Sequence, residues 1–205
     1  MIDYIGVFIS FFAVVDPIGS VPVYIAVTQG YERKLKRIIA FRATMFAAAI
    51  LIFFVVAGSP ILTAMSVPLS AFQISGGIVL FLFALTMIFG ESKPEEEMRI
   101  VQSHNETAIY PLAVPSLASP GAMLAAVLLT DPARFGIWER AQTVLMLLLV
   151  LLSAFLLMLA ANFIDRLVGK SGASVISRVM GIILASIAMT NTLEGLSVYF
   201  NLSII

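Results

Sequence analysis

Between Leu145 and Ala161 the chain reads L-M-L-L-L-V-L-L-S-A-F-L-L-M-L-A-A, with Ser153 as its one polar side chain. A bilayer hydrocarbon core about 30 Å thick is crossed by roughly 20 apolar residues in a helix. Six segments meet that requirement: 4–28, 38–58, 68–90, 108–130, 141–164 and 177–200. Backbone polar groups in lipid must pair within the protein, and no ten-residue alternating pattern suggests a barrel. The expected fold is therefore an all-α membrane protein with six transmembrane helices. Composition agrees: 60% of the 205 residues are hydrophobic and 12% charged, about half the charge density of a soluble domain. Zero net charge gives no argument for a nucleic-acid partner. The absence of cysteine excludes disulfides, thiol catalysis and cysteine metal sites. The N-terminus carries no Lys or Arg and reads as a retained first span rather than a signal peptide.

Lys and Arg set the expected orientation. Ten of the twelve fall on one side: Arg33, Lys34, Lys36, Arg37, Arg42, Lys93, Arg99, Arg166, Lys170 and Arg178. Arg134 and Arg140 are left for the other. That asymmetry places both termini outside the cytoplasm, with Trp138 and Tyr199 near the outer interface and Tyr31 and Tyr110 near the inner one. Re-entrant hairpins at the first and fourth segments are the alternative, and segment lengths favour six full crossings.

The plain helices make the other segments conspicuous. In F-F-A-V-V-D-P-I-G-S-V-P-V-Y, residues 11–24, a carboxylate, two prolines and a glycine interrupt the first span. Pro17 and Pro22 each remove a backbone donor, Gly19 permits a bend, and Pro17 pushes Asp16 away from helical geometry. A short unwound stretch around Asp16 to Gly19 is expected. In the fourth segment P-L-A-V-P-S-L-A-S-P-G, residues 111–121, repeats the design with Pro111, Pro115, Pro120 and Gly121.

The likeness extends further. A shift of 104 lays G-I-V-L-F-L-F-A-L-T at 77–86 on G-I-I-L-A-S-I-A-M-T at 181–190, and a shift of 103 lays Asp16-Pro17 on Ser119-Pro120 and Arg37 on Arg140. The unit is a broken helix, a plain helix and a small-residue helix. Three spans are an odd number, so the second copy enters from the opposite side, giving two inverted-topology repeats. The expected organisation is one membrane domain: a first repeat over 1–90, a charged cytoplasmic connector over 91–107, and a second repeat over 108–205.

In such folds the two broken helices meet near mid-membrane and form the site. Freed carbonyls can bind a cation, and half-helix N-termini can receive a substrate carboxylate. The candidate substrate-binding residues are Asp16, Pro17, Gly19, Ser20, Ser116, Ser119 and Gly121, with Thr86 and Thr190 added for their matched placement in the repeat. Asp16 is also the candidate for ion coupling, because an embedded carboxylate costs several kcal/mol unless paired, protonated or hydrated. Each has a plainer reading. Asp16 and Ser119 would cap the half-helices after them, Thr86 and Thr190 would bond their own helix carbonyls, and Gly76, Gly77 and Gly181 would allow close packing.

The stretches D-P-I-G-S-V-P-V-Y-I, F-Q-I-S-G-G-I-V-L-F, Y-P-L-A-V-P-S-L-A-S-P-G and G-K-S-G-A-S-V-I-S-R-V-M-G-I resemble the MarC family of inner-membrane proteins, in order and over nearly the whole chain. The resemblance implies a six-helix protein of the LysE-type transporter superfamily, in the inner membrane of a bacterium or in an archaeal cell membrane, with both termini extracytoplasmic. Some relatives are described as ion-coupled transporters of glycine and alanine. Asp16, Pro17, Gly19 and Pro22 match the family's first motif, which often has Asn at the acidic position. Pro115, Pro120 and Gly121 match the second, where Ser119 stands in place of a frequent Gly.

The function expected is secondary transport of a small polar solute, a small neutral amino acid above all, by ion-coupled or exchange alternating access. It would use no cofactor beyond a coupling H+ or Na+, and its partners would be membrane lipid, the substrate and, in a homo-oligomer, further copies of the chain. The alternatives are a channel or an exporter of another small metabolite, and a non-transporting adaptor docking through 91–107. An intramembrane enzyme is not expected, since Asp16 has no second carboxylate at depth and the chain holds one His and no Cys.

Overall fold

The computed structural model describes residues 3–89 and 108–202, without the side chains of 108–111, 115, 162, 164–171 and 173. The expected connector 91–107 lies outside the described residues. Every element described is helical: α1 (Tyr4–Val15), α2 (Ser20–Val27), α3 (Arg33–Ala64), α4 (Leu69–Phe89), α5 (Ala108–Leu117), α6 (Pro120–Leu128), α7 (Ile137–Leu159) and α8 (Ala161–Tyr199). Among the described residues five helices, counting α1 and α2 as one over Tyr4–Val27, are long and apolar enough to cross a membrane. The interrupted pair α5 and α6 supplies the sixth element. The expected all-α membrane fold stands.

Two polar stretches between apolar runs are helical. R-K-L-K-R at 33–37 opens α3, because Arg, Lys and Leu are good helix formers and no proline intervenes. The break before it is confined to a short turn at Gly30, whose φ of 84° is left-handed. At the other end α8 runs unbroken through Gly169 and Gly172. Each glycine costs about 1 kcal/mol in a helix, against about 3 kcal/mol for a proline. At 39 residues and a rise of 1.5 Å per residue, a straight α8 would measure about 58 Å, and its Ser174–Tyr199 part is by itself long and apolar enough to cross a membrane.

Contacts between helices give their directions. Tyr4 donates its hydroxyl to Gln142 (2.9 Å) near the start of α7, while Tyr24 shares a cavity with Met158 and Leu159 at its end. The α1–α2 pair therefore follows α7 along its whole length, which excludes a re-entrant hairpin for the first segment. Phe41 meets Phe155 edge-on at 6.3 Å, so α3 runs against α7. Gly58 abuts Val127, which puts the ends of α3 and α6 together. Gly77 abuts Ala188 and Thr192, Gly181 abuts Ala84 and Ile88, and Gly195 abuts Ser70 and Ile74, so α4 and α8 are antiparallel. Both ends of the described chain then lie at one end of the bundle.

The core lies where α1, α2, α5 and α6 pass between the longer helices. Phe11, Val15, Leu51, Leu112, Leu117 and Leu147 are fully buried there. Outward faces of α3, α4, α7 and α8 carry exposed Phe53, Leu82, Leu152 and Ile182, as helices facing lipid require.

Candidate functional site

The first break begins at Asp16, which ends α1 in the left-handed conformation, φ 49° and ψ 64°. Asp and Asn are among the few residues with a Cβ that occupy this region readily. Its N–H donates to the Phe12 carbonyl (3.1 Å), completing the last turn of α1. Its carboxylate turns forward, and Oδ1 accepts from Gly19 N (3.0 Å). The Asp16 carbonyl accepts from Ser20 N (3.1 Å) and from Ser20 Oγ (3.0 Å). One residue thus closes one half-helix and starts the next. Gly19 has an ordinary helical φ of −67°; what excludes a side chain is the Asp16 carboxylate lying against its Cα. Pro22 falls in the first turn of α2, where a missing N–H is tolerated.

The second break is built differently. α5 is π-helical from Ala108 to Leu117, and it ends with Ala118 N donating to Ala113 O (2.9 Å), a five-residue step. Pro111 and Pro115 fall in this run, and a proline disfavours α-helical winding by colliding with the carbonyl four residues back. π-helical turns are rare and occur mostly as single-turn bulges, frequently at functional sites. Ser119 is extended, φ −67° and ψ 160°, and its Oγ accepts from Ala122 N (3.1 Å) to cap α6. Pro120 occupies the first helical position.

The two breaks touch. Ser119 Oγ donates to the Val14 carbonyl (2.6 Å), one of the carbonyls that α1 leaves open at its C-terminus. Ser116 Oγ donates to Ser20 Oγ (3.1 Å). Asp16 is 2% exposed, Ser116 and Ser119 1%, and Ser20 0%. Twelve residues of α1 at 1.5 Å each put Asp16 about 18 Å from Tyr4, near the middle of a core about 30 Å thick.

Of the residues singled out from sequence, Asp16, Pro17, Gly19, Ser20, Ser116 and Ser119 are brought together in this buried junction. Gly121 is buried beside it but serves packing, since a Cβ there would meet Leu80 of α4 at 2.5 Å. Thr86 and Thr190 are not in the junction. Both are exposed and bond their own helices, Thr86 to Phe83 O (2.7 Å) and Thr190 to Ser186 O (3.0 Å). A threonine in a helix satisfies its hydroxyl this way, so the matched placement reflects a shared outward face. Sequence reasoning missed the Val14 carbonyl, which no residue type marks. It also missed Thr143 and Arg140 of α7, whose buried hydroxyl and Nε have no hydrogen-bond partner among the described residues.

An all-α bundle with exposed apolar faces and two interrupted helices joined at mid-depth defines a multi-pass integral membrane protein. The chain belongs to the MarC family of integral membrane proteins, whose model matches residues 1–200. It is 33% identical to the UPF0056 membrane protein MJ1677 of Methanocaldococcus jannaschii, over 94% of this chain and 95% of that one. It is 30% identical to the UPF0056 inner membrane protein YhgN of Escherichia coli K12, over 97% and 98%, and 31% identical to the UPF0056 membrane protein YvbG of Bacillus subtilis, over 96% and 95%. No solved structure matches the chain.

Proposed function

We propose that this protein is a secondary transporter of a small polar solute, specifically a small neutral amino acid such as glycine or alanine, and not an enzyme. The observation that carries the reading is the pair of hydroxyl contacts, Ser116 to Ser20 and Ser119 to Val14 O, which join two helix breaks from opposite halves of the chain. Broken helices meeting at mid-depth place freed backbone groups where a zwitterion needs both kinds of partner. The residues around them are small, which suits a small substrate. Ser20, Ser116 and Ser119 bond protein groups in this conformation, so substrate would enter by separating α1–α2 from α5–α6 and taking over those bonds. The Ser116–Gly121 turn would hold the substrate carboxylate, and Asp16 a coupling proton or Na+.

The inverted repeat gives that separation a mechanism, one three-helix unit rocking against the other. Its support is the symmetry of the α4–α8 contact: Gly77 meets Ala188 and Gly181 meets Ala84, and a shift of 104 exchanges the two pairs. The Lys and Arg distribution supports an orientation with both termini outside the cytoplasm. The test is counterflow of labelled glycine or alanine into proteoliposomes, for the protein and for Asp16→Asn. Saturable exchange whose ion dependence disappears in Asp16→Asn is expected. Absence of exchange from correctly inserted protein removes the amino acid, and unchanged ion dependence in the variant removes the coupling role.

A further inference from the structure

Away from the junction, at the opposite end of the bundle from Tyr4, a cavity of about 150 Å3 is lined by Tyr24, Arg33, Lys36, Arg37, Met158, Leu159 and Ala161. A single water needs roughly 10–15 Å3, so the space admits a larger polar group. Tyr24 is buried, while Arg33 and Arg37 are exposed, so its cationic side opens outward. Met158 and Ala161 give it an apolar wall. Its lining comes from α2 and α3 in the first half of the chain and from the α7–α8 turn in the second.

The charges here are placed against their own interest. Arg33, Lys36 and Arg37 stand three and four residues apart, where like charges repel. They also sit in or beside the first turn of α3, where the helix dipole disfavours cations. That turn contains no acidic residue, and its N-cap, Glu32, makes no side-chain capping bond. Among the described residues none of the three has a carboxylate within ion-pair distance; the ion pair found there is Arg134 with Asp131. A preference for cations on the cytoplasmic side explains which end they occupy, but not their convergence on one cavity.

We propose that this cavity binds the phosphate of an anionic phospholipid headgroup. The site lies at the ends of membrane-spanning helices, and Leu159, which lines the cavity and is itself exposed, gives an acyl chain an apolar path beside the phosphate. A bound headgroup offsets the mutual repulsion and ties the α2–α3 side to the α7–α8 turn. The proposal is independent of what the protein transports.

Native mass spectrometry of the detergent-purified protein tests it, with added phosphatidylglycerol or phosphatidylcholine of the same chains. Phosphatidylglycerol binds preferentially. Changing Arg33, Lys36 and Arg37 together to Gln weakens that binding roughly a hundredfold, and Lys36→Gln alone, which is the safer variant to fold, roughly fivefold. Lys34→Gln, one residue off the cavity, leaves it unchanged. Equal binding of the two lipids, or unchanged phosphatidylglycerol binding in the cavity variants, overturns the proposal. So does thermal protection by inorganic phosphate that phosphatidylglycerol fails to match, which assigns the cavity to a soluble anion.

Discussion

The two helix breaks solve one problem with different chemistry. At Asp16 the chain reverses hand for a single residue, and a carboxylate reaches forward to cap Gly19 N. At Ser119 the chain stays extended after a π-helix, and a neutral hydroxyl caps Ala122 N. Both caps reach three residues ahead, and both half-helices begin beside an Asp-Pro or Ser-Pro step. The hydroxyl, however, also donates to Val14 O across the junction, which a carboxylate cannot do. The first break therefore brings the charge, and the second supplies the donor that joins the halves.

Asp16 carries the largest expected effect, because its backbone and its charge are both in use. Asp16→Ala loses a cap worth about 1 kcal/mol and places Ala in the left-handed region at a further 1–2 kcal/mol or so, a destabilisation of roughly 2–3 kcal/mol. Asp16→Asn tolerates the same φ and keeps an oxygen for Gly19 N, so it costs less than about 1 kcal/mol. Thermal unfolding in detergent separates the two variants. Equal losses would mean that the charge, not the conformation, holds the break.

Ser119→Ala comes next. It removes the α6 cap and leaves the buried Val14 carbonyl without its donor, together about 2 kcal/mol. Ser119→Gly spares most of the cap, at a few tenths of a kcal/mol, yet still strands the carbonyl. If the glycine variant melts with the parent protein, the bond across the junction contributes nothing and the two breaks are independent.

Gly19→Ala tests the carboxylate's position. A Cβ at Gly19 collides with the Asp16 carboxylate, so the cap must open at a cost of about 1–2 kcal/mol. The diagnostic is a double-mutant cycle. In the Asp16→Ala background the collision is gone, and Gly19→Ala becomes neutral or mildly stabilising, since Ala is the better helix former. Full additivity would show that the glycine serves something other than the carboxylate.

How much of this was legible follows from the same residues. The breaks were readable because Asp-Pro, Gly-Ser and Ser-Pro inside an apolar segment have few other uses, and the crossings because each plain run is about as long as a bilayer is thick. The contact between the breaks was not, since Ser119 meets a backbone carbonyl and any residue at position 14 offers one. Helix α8 runs straight through the polar residues 165–172, since polarity reports solvent and headgroups rather than the end of a helix. Nor could a repeat distinguish an inward match from an outward one, because residues related by symmetry share both faces.

That ambiguity sets the smallest prediction. Thr86 and Thr190 occupy equivalent positions in the two halves, but each hydroxyl is tied to a carbonyl one turn back in its own helix and each residue is exposed. Replacing either by Val removes a hydrogen bond whose acceptor already serves the helix, and adds a methyl on a face suited to lipid. The expected change in stability is within about half a kcal/mol. Transport in the counterflow assay should be unchanged, even in the double variant. A loss of exchange there, with the melting temperature preserved, would mean that α4 and α8 turn these faces inward during the cycle. The site would then extend beyond the two breaks, and the small-residue seam between α4 and α8 would have to rotate as well as pack.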